Sequence, residues 1–448
     1  MKNMLSKKIL IICMLFCCSS PFLGYGQAIP VTVEISPEGK WQLMRAGQPY
    51  YIQGVGGDDY LEKALAIGAN SIRTWSPDNA QEVLDAAQKL GMTVTMGLWV
   101  QHERHGYDYN NKEKVQAQLE YFTSIVQKYK DHPALLMWGV GNEVDLFYSN
   151  TKVWDAVEDI AAMIHQLDPN HPTTTITAGL DAEEVRLIKE KAPSIDIYGI
   201  NTYGDIGKVP ALIRSAGWEG PYIIAEWGPT GHWEVKKTRW DAPVEQSSTE
   251  KATTYRNRYQ QYIAGDADKC IGSYVFLWGQ KQETTATWYG MFSNEGYSSE
   301  AVDVLEQIWT GKKPANSAPM LDSASLNQLK KGEDIILTAN QKWTATAWIT
   351  DPDGDRIKYE WEVVNESQDI KSGGDAESRP PAVKGLGMKK KGNTVTFRAP
   401  AEEGPYRLFL FAYDGNDHYA YTNIPFYVLP AENDEDGKRP VSFKKVEL

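Results

Sequence analysis

Two acidic residues pose the chemical question of this chain. Glu143 lies in WGVGNEVD (138–145) and Glu226 in PYIIAEWGP (221–229). Each ends an apolar, glycine-containing run, where a carboxylate is hardest to keep charged. A pair of carboxyl groups can share the work of breaking a glycosidic bond. One protonates the leaving oxygen while the other attacks the anomeric carbon. An apolar setting and a neighbouring carboxylate both raise the pKa of an acid that must hold its proton until it acts. Either short motif alone reads equally as a structural ion pair. The two gain meaning only if the fold brings them to one mouth.

The surrounding elements make that a concrete expectation. From about residue 48 to 309, strand-like apolar runs alternate with helix-like periods, eight times in order. The strands begin with YYIQGVG (50–56) and SIRTW (71–75) and end with PYIIAEWGP (221–229) and CIGSYVFLWGQ (270–280). Near-continuous apolar strands are expected when both faces of a parallel sheet are buried. The count and length predict an α/β fold, a (β/α)8 TIM barrel. A doubly wound open sheet is the alternative, but no glycine-rich phosphate turn follows the first strand. VTVEISPEGKWQLMR (31–45) reads as a hairpin plugging the barrel bottom.

In such a barrel the C-terminal strand ends carry the chemistry. Strand 2 presents Arg73 and Trp75, and strand 3 presents Trp99 with His102 beyond it. Strand 4 presents Asn142, Glu143 and Asp145; strand 6 presents Asn201 and Tyr203; strand 7 presents Glu226. Strand 8 and its loop bring Trp278, Glu283 and Trp288. GVGNEV and IIAEWG resemble the acid/base and nucleophile signatures of the clan A retaining β-glycoside hydrolases. GQPYYIQGVG and YGINTYG resemble segments of the glycoside hydrolase family 2 catalytic domain. That family's His-rich segment after strand 1 is missing here, where Asp58 and Asp59 stand. A barrel followed by an immunoglobulin-like module also resembles the secreted endo-β-1,3-glucanases of glycoside hydrolase family 158. The resemblance implies Glu143 as general acid/base and Glu226 as nucleophile. It implies Asn142 on the sugar 2-OH, Arg73 and Tyr203 holding Glu226 ionised and aimed, and Trp278 as subsite floor. Trp99, His102, Trp288 and Glu283 are expected to line the site, with His105 beside them.

The remaining sequence sets the context. Residues 1–26 read as a signal peptide: three lysines, an apolar run too short to span a bilayer, then small residues. Lipidation at Cys17 or Cys18 is the alternative reading, giving a lipid anchor. Only Cys270 lies beyond this segment, so no intrachain disulfide is expected. The barrel is assigned to 27–312, a linker to 313–320, a C-terminal all-β Ig-like sandwich with PKD-like DPDGDRIKYEWEV to 321–430, and a charged tail to 431–448. Every candidate catalytic residue precedes 311, so the barrel alone is expected to suffice for activity. A formal charge of −13 argues against nucleic acid and anionic membranes as partners. His102 and His105 are the one close His pair, without obvious further ligands, so neither a metal nor a cofactor is expected. The acids of DPDGD are read as a turn in preference to a calcium loop. The expected product is a secreted, periplasmic or cell-surface retaining hydrolase of an oligo- or polysaccharide, a β-glucan such as β-1,3-glucan. A β-galactosidase, β-mannanase or transglycosylase on the same barrel is the alternative, as is a non-catalytic glycan-binding protein.

Overall fold

The computed structural model describes residues 26–430 and 443–446. Residues 1–25 of the expected signal, and most of the expected tail, lie outside the described residues. No helix among the described residues is long and apolar enough to cross a membrane.

Eight parallel strands close into a barrel in chain order. They are Ile52–Gly56, Ser71–Arg73, Thr93–Leu98, Leu135–Asn142, Thr173–Ala178, Ile197–Asn201, Tyr222–Trp227 and Cys270–Val275, called here the first to eighth barrel strands. The eighth pairs with the first. Almost every strand residue is buried, because helices cover the outside and side chains fill the inside. An antiparallel hairpin, Val31–Ile35 with Trp41–Arg45, precedes the barrel. Its Val31 and Leu43 join Ile52, Leu136, Ile197, Ile223 and Ile271 in one apolar cluster at the N-terminal strand ends. The bottom is therefore sealed, and a cleft can open only at the other end.

Two strands lose their regular pairing where they reach that end. The fourth slips against the fifth between Gly139 and Asn142. The seventh slips against the sixth between Ile224 and Glu226. Such bulges re-aim side chains at a barrel rim, and these two fall beside the two glutamates.

Beyond the barrel, two sheets enclose a second core. One contains Lys358–Asn365, Gly404–Tyr413 and His418–Leu429; the other contains Met320–Leu326, Lys342–Thr350 and Thr394–Arg398. Trp361, Leu408 and Ile424 from the first meet Ala345, Val395 and Phe397 from the second. The strand Met320–Leu326 was not expected. Its pairing slips between Leu321 and Ser323, which scrambles the alternation that marks a strand. In the DPDGD turn, Asp351 accepts from the amides of Asp353 and Asp355 at 3.0 and 2.9 Å.

The second unit is docked on the barrel through buried charge. Lys251 donates to Glu245 at 2.5 Å and to the carbonyls of Thr287 and Trp288. Asn423 donates to Glu245 at 2.5 Å, and Arg407 donates to Glu366 and to the Pro243 carbonyl. Trp240 is fully buried and meets Tyr427 at 5.7 Å between ring centres. A cut near residue 313 would leave Lys251 and Glu245 without part of this network. The expectation of a self-sufficient barrel therefore meets a physical obstacle.

Candidate active site

Arg73 ends the second strand with 2% of its surface exposed. Its Nη1 donates to Glu226 Oε1 and to the Ala225 carbonyl, each at 2.9 Å, and its Nη2 donates to Asn142 Oδ1 at 2.6 Å. Trp75 Nε1 donates to Glu226 Oε1 at 2.7 Å, and the Tyr203 hydroxyl donates to Oε2 at 3.1 Å. Three donors from the second strand end and the sixth thus fix both oxygens of one carboxylate. Gly97 on the third strand makes this arrangement possible. A Cβ there would lie 2.4 Å from the Trp75 carbonyl carbon, so any side chain would push Trp75 off Glu226.

Glu143 stands differently. It follows the bulge with φ of +50°, a left-handed backbone that a non-glycine residue rarely adopts. Asn201 Nδ2 donates to Glu143 Oε1 at 2.8 Å and to Asn142 Oδ1 at 3.1 Å. Burial raises the Glu143 pKa most, and the charge of Glu226 raises it further; the Asn201 hydrogen bond opposes both. Glu143 and Glu226 both face a cleft of about 710 Å³, which Asn142, Tyr203, Trp99 and Glu283 also line. Asp145 does not line it. It accepts from the Ala178 amide at 3.0 and 3.1 Å, bracing the loop, and burial pushes its pKa up to about 7.

Three expected site residues lie elsewhere. Trp278 is completely buried, edge-on to Phe292 at 4.8 Å, and Phe276 and Leu277 face the cleft in its place. The strand pattern gave no sign that the chain leaves the barrel wall at Val275. Trp288 is buried behind the wall and donates to the Thr230 carbonyl at 3.0 Å. His102 is buried, stacked between Trp99 and His105, and accepts from Arg104 Nε at 3.0 Å. Burial, then the charge of Arg104, lowers its pKa to about 4.

Other residues enter the cleft without having been given a role: Asn201, Phe147, Trp233, Lys281 and, from the second unit, Ser372–Gly374. Asn201 and Trp75 were readable as strand-end residues. Phe147 and Trp233, 70% and 55% exposed, belong to loops whose paths the sequence does not dictate.

Residues 53–231 match the family described as glycosyl hydrolases family 2, TIM barrel domain. Among curated proteins, the dog β-glucuronidase is 26% identical over 194 residues, 39% of this chain and 28% of that protein. The Paenibacillus borealis β-glucuronidase is 23% identical over 273 residues, 54% of this chain and 43% of that protein. This chain thus spans less than half the length of either relative. Among solved structures, Bacteroides uniformis β-glucuronidase aligns with 15% identity and a TM-score of 0.47, covering 90% of this chain and 48% of that one. The matched segment takes in Arg73, Asn142, Glu143 and Glu226, so both site carboxyl groups lie in the part of the chain that is similar to this family's barrel.

Proposed function

We propose that the protein is an exported β-glycoside hydrolase that acts with retention, by double displacement. The observation that carries this reading is the asymmetry of two carboxyl groups facing one cleft. Glu226 is held by Arg73, Trp75 and Tyr203 with its oxygens fixed, as a nucleophile requires. Glu143 is biased toward its protonated form, as a general acid requires. Asn142, bridging Arg73 and Asn201, is the group for the sugar 2-OH. In the first step Glu226 attacks the anomeric carbon while Glu143 gives its proton to the leaving oxygen. In the second, Glu143 takes a proton from water, which displaces Glu226.

The glycone is proposed to be an uncharged sugar. The curated relatives are named for glucuronides, but the cleft lining here is acidic. Asp205, Glu234 and Glu283 join the catalytic pair, and the one lysine in the lining among the described residues, Lys281, is held by Glu283 at 3.1 Å. His232 stays neutral because burial lowers its pKa to about 4. A β-glucan, including a β-1,3-linked one, fits this charge pattern. The leader sequence supports export to the periplasm, the cell surface or the medium.

The test is azide rescue of Glu143→Ala on an activated aryl β-glycoside. A glycosyl azide of β configuration is the expected product. An α-glycosyl azide from Glu226→Ala, with Glu143→Ala unaffected by azide, would reverse the two roles. In the same assay, p-nitrophenyl β-glucuronide turned over faster than the β-glucoside, β-galactoside and β-mannoside would overturn the uncharged glycone.

A further inference from the structure

The loops after the first and second barrel strands are short: residues 57–60 and 74–79 separate strand from helix. By contrast, about twenty residues follow the seventh strand before the next helix at Ser248. The barrel's own chain therefore builds little wall on the side of strands 1 and 2. A loop from the second unit, residues 371–377, bridges the loops after strands 3 and 8.

Its anchors lie on both flanks of the gap. On the strand 3 flank, Arg104 donates to Asp375 Oδ2 at 2.8 Å and Oδ1 at 3.3 Å, and to the carbonyls of Ser372 and Gly373. His105 adds a contact with Asp375 at 3.1 Å. On the strand 8 flank, Lys281 donates to the Gly374 carbonyl at 2.5 Å, and the Thr284 amide donates to Glu377 at 2.6 Å. Gly373 and Gly374 both have left-handed backbones, φ +65° and +70°. A Cβ on Gly373 would lie 2.8 Å from Arg104 Nη2 and from Leu146 Cδ2. The two glycines let the loop press onto the barrel rim while Ser372–Gly374 face the same cleft as Glu143 and Glu226. Ser372 and Gly374 are exposed there.

We infer that this loop is a sugar subsite: the second unit supplies a wall that contacts a residue of an oligosaccharide beyond the one being cleaved. Its ligand is an uncharged saccharide chain, met by the Ser372 hydroxyl and the loop backbone. Arg104 and Asp375 act as positioning residues that hold the wall in place. The inference rests on the hydrolase reading above.

The experiment compares two substrates sharing one glycone: the p-nitrophenyl β-glycoside that the wild type turns over best, and the matching tetrasaccharide. The readout is the ratio of kcat/KM for the tetrasaccharide to kcat/KM for the aryl glycoside. Asp375→Ala, which frees the loop, and Ser372→Trp, a bulky residue at an exposed position, are each expected to lower that ratio at least tenfold. A ratio unchanged in Ser372→Trp, whose site needs no repacking, would overturn the inference even if Asp375→Ala fails to fold. A wild type inert toward every β-glycoside would instead overturn the hydrolase reading, and the subsite with it.

Discussion

Two of the buried charge networks among the described residues are built to opposite ends. At the barrel mouth, Arg73, Asn142, Asn201 and Tyr203 gather around Glu226 and Glu143, which face open space. Between the two units, Glu245 accepts from Lys251, Thr285, Thr287 and Asn423. Burial would raise the Glu245 pKa, but the charge and hydrogen bond of Lys251, with the Thr285 hydrogen bond and the charge of Arg407, together hold it low. Glu143 has no such cation bound to it, and its pKa goes up. Buried acids by themselves therefore do not mark a site. The distinguishing feature is a carboxyl left incompletely paired beside a cavity.

Substitutions can separate the two networks. The largest effect is expected from Glu226→Ala, which removes the proposed nucleophile. Turnover should fall on the order of 10⁴-fold or more whatever the leaving group, while thermal unfolding still reports a folded protein. The same comparison sharpens with Glu226→Gln. Removing that negative charge removes one cause of the raised Glu143 pKa, so Glu143 should titrate at lower pH in a carboxyl-resolved NMR titration. In the wild type the sign is the reverse: Glu143 keeps its proton above the ordinary carboxyl range, and activity is expected to fall on the alkaline side as that proton leaves. An alkaline limb unchanged in Glu143→Gln would sink this assignment.

The next effect is on stability. Glu245→Ala leaves Lys251 buried without its carboxylate, which costs about 3–5 kcal/mol. Denaturant unfolding should show that loss, while kcat per folded molecule stays within an order of magnitude. If Glu245→Ala instead abolished turnover in folded protein, the division between the networks would fail. The smallest effect is Trp75→Phe, which keeps an aromatic side chain but deletes one donor to Glu226. A hydrogen bond to a charged group contributes about 1.5–3 kcal/mol, so kcat should drop roughly 10- to 100-fold. An unchanged kcat would mean that Arg73 and Tyr203 alone position the carboxylate.

The barrel was legible because parallel strands buried on both faces leave long apolar runs, as in LLMWGVGN and YIIAEW. Glu143 and Glu226 were legible because strand ends are fixed points of that fold. What lies after the strand ends was harder. Trp278 and Trp288 carry the right chemistry for a sugar platform, but the loop's path turns both inward, and no period in the sequence encodes that path. His102 is close in sequence to Trp99, yet stacking between two rings buries it. The wall from residues 372–374 was invisible because its partners, Arg104 and Lys281, lie far away in the chain.

The left-handed backbone at Glu143 has one further consequence. Holding a non-glycine residue there costs of order 1–3 kcal/mol, and a half-buried carboxyl beside Glu226 adds its own penalty. Glycine would relieve both, since it takes φ of +50° freely and carries no acid. The protein is thus less stable at this position than its fold allows. Random variation followed by selection for thermal resistance alone would drift toward discarding the very residue that the proposed chemistry needs, a trade-off between endurance and activity written into one dihedral angle.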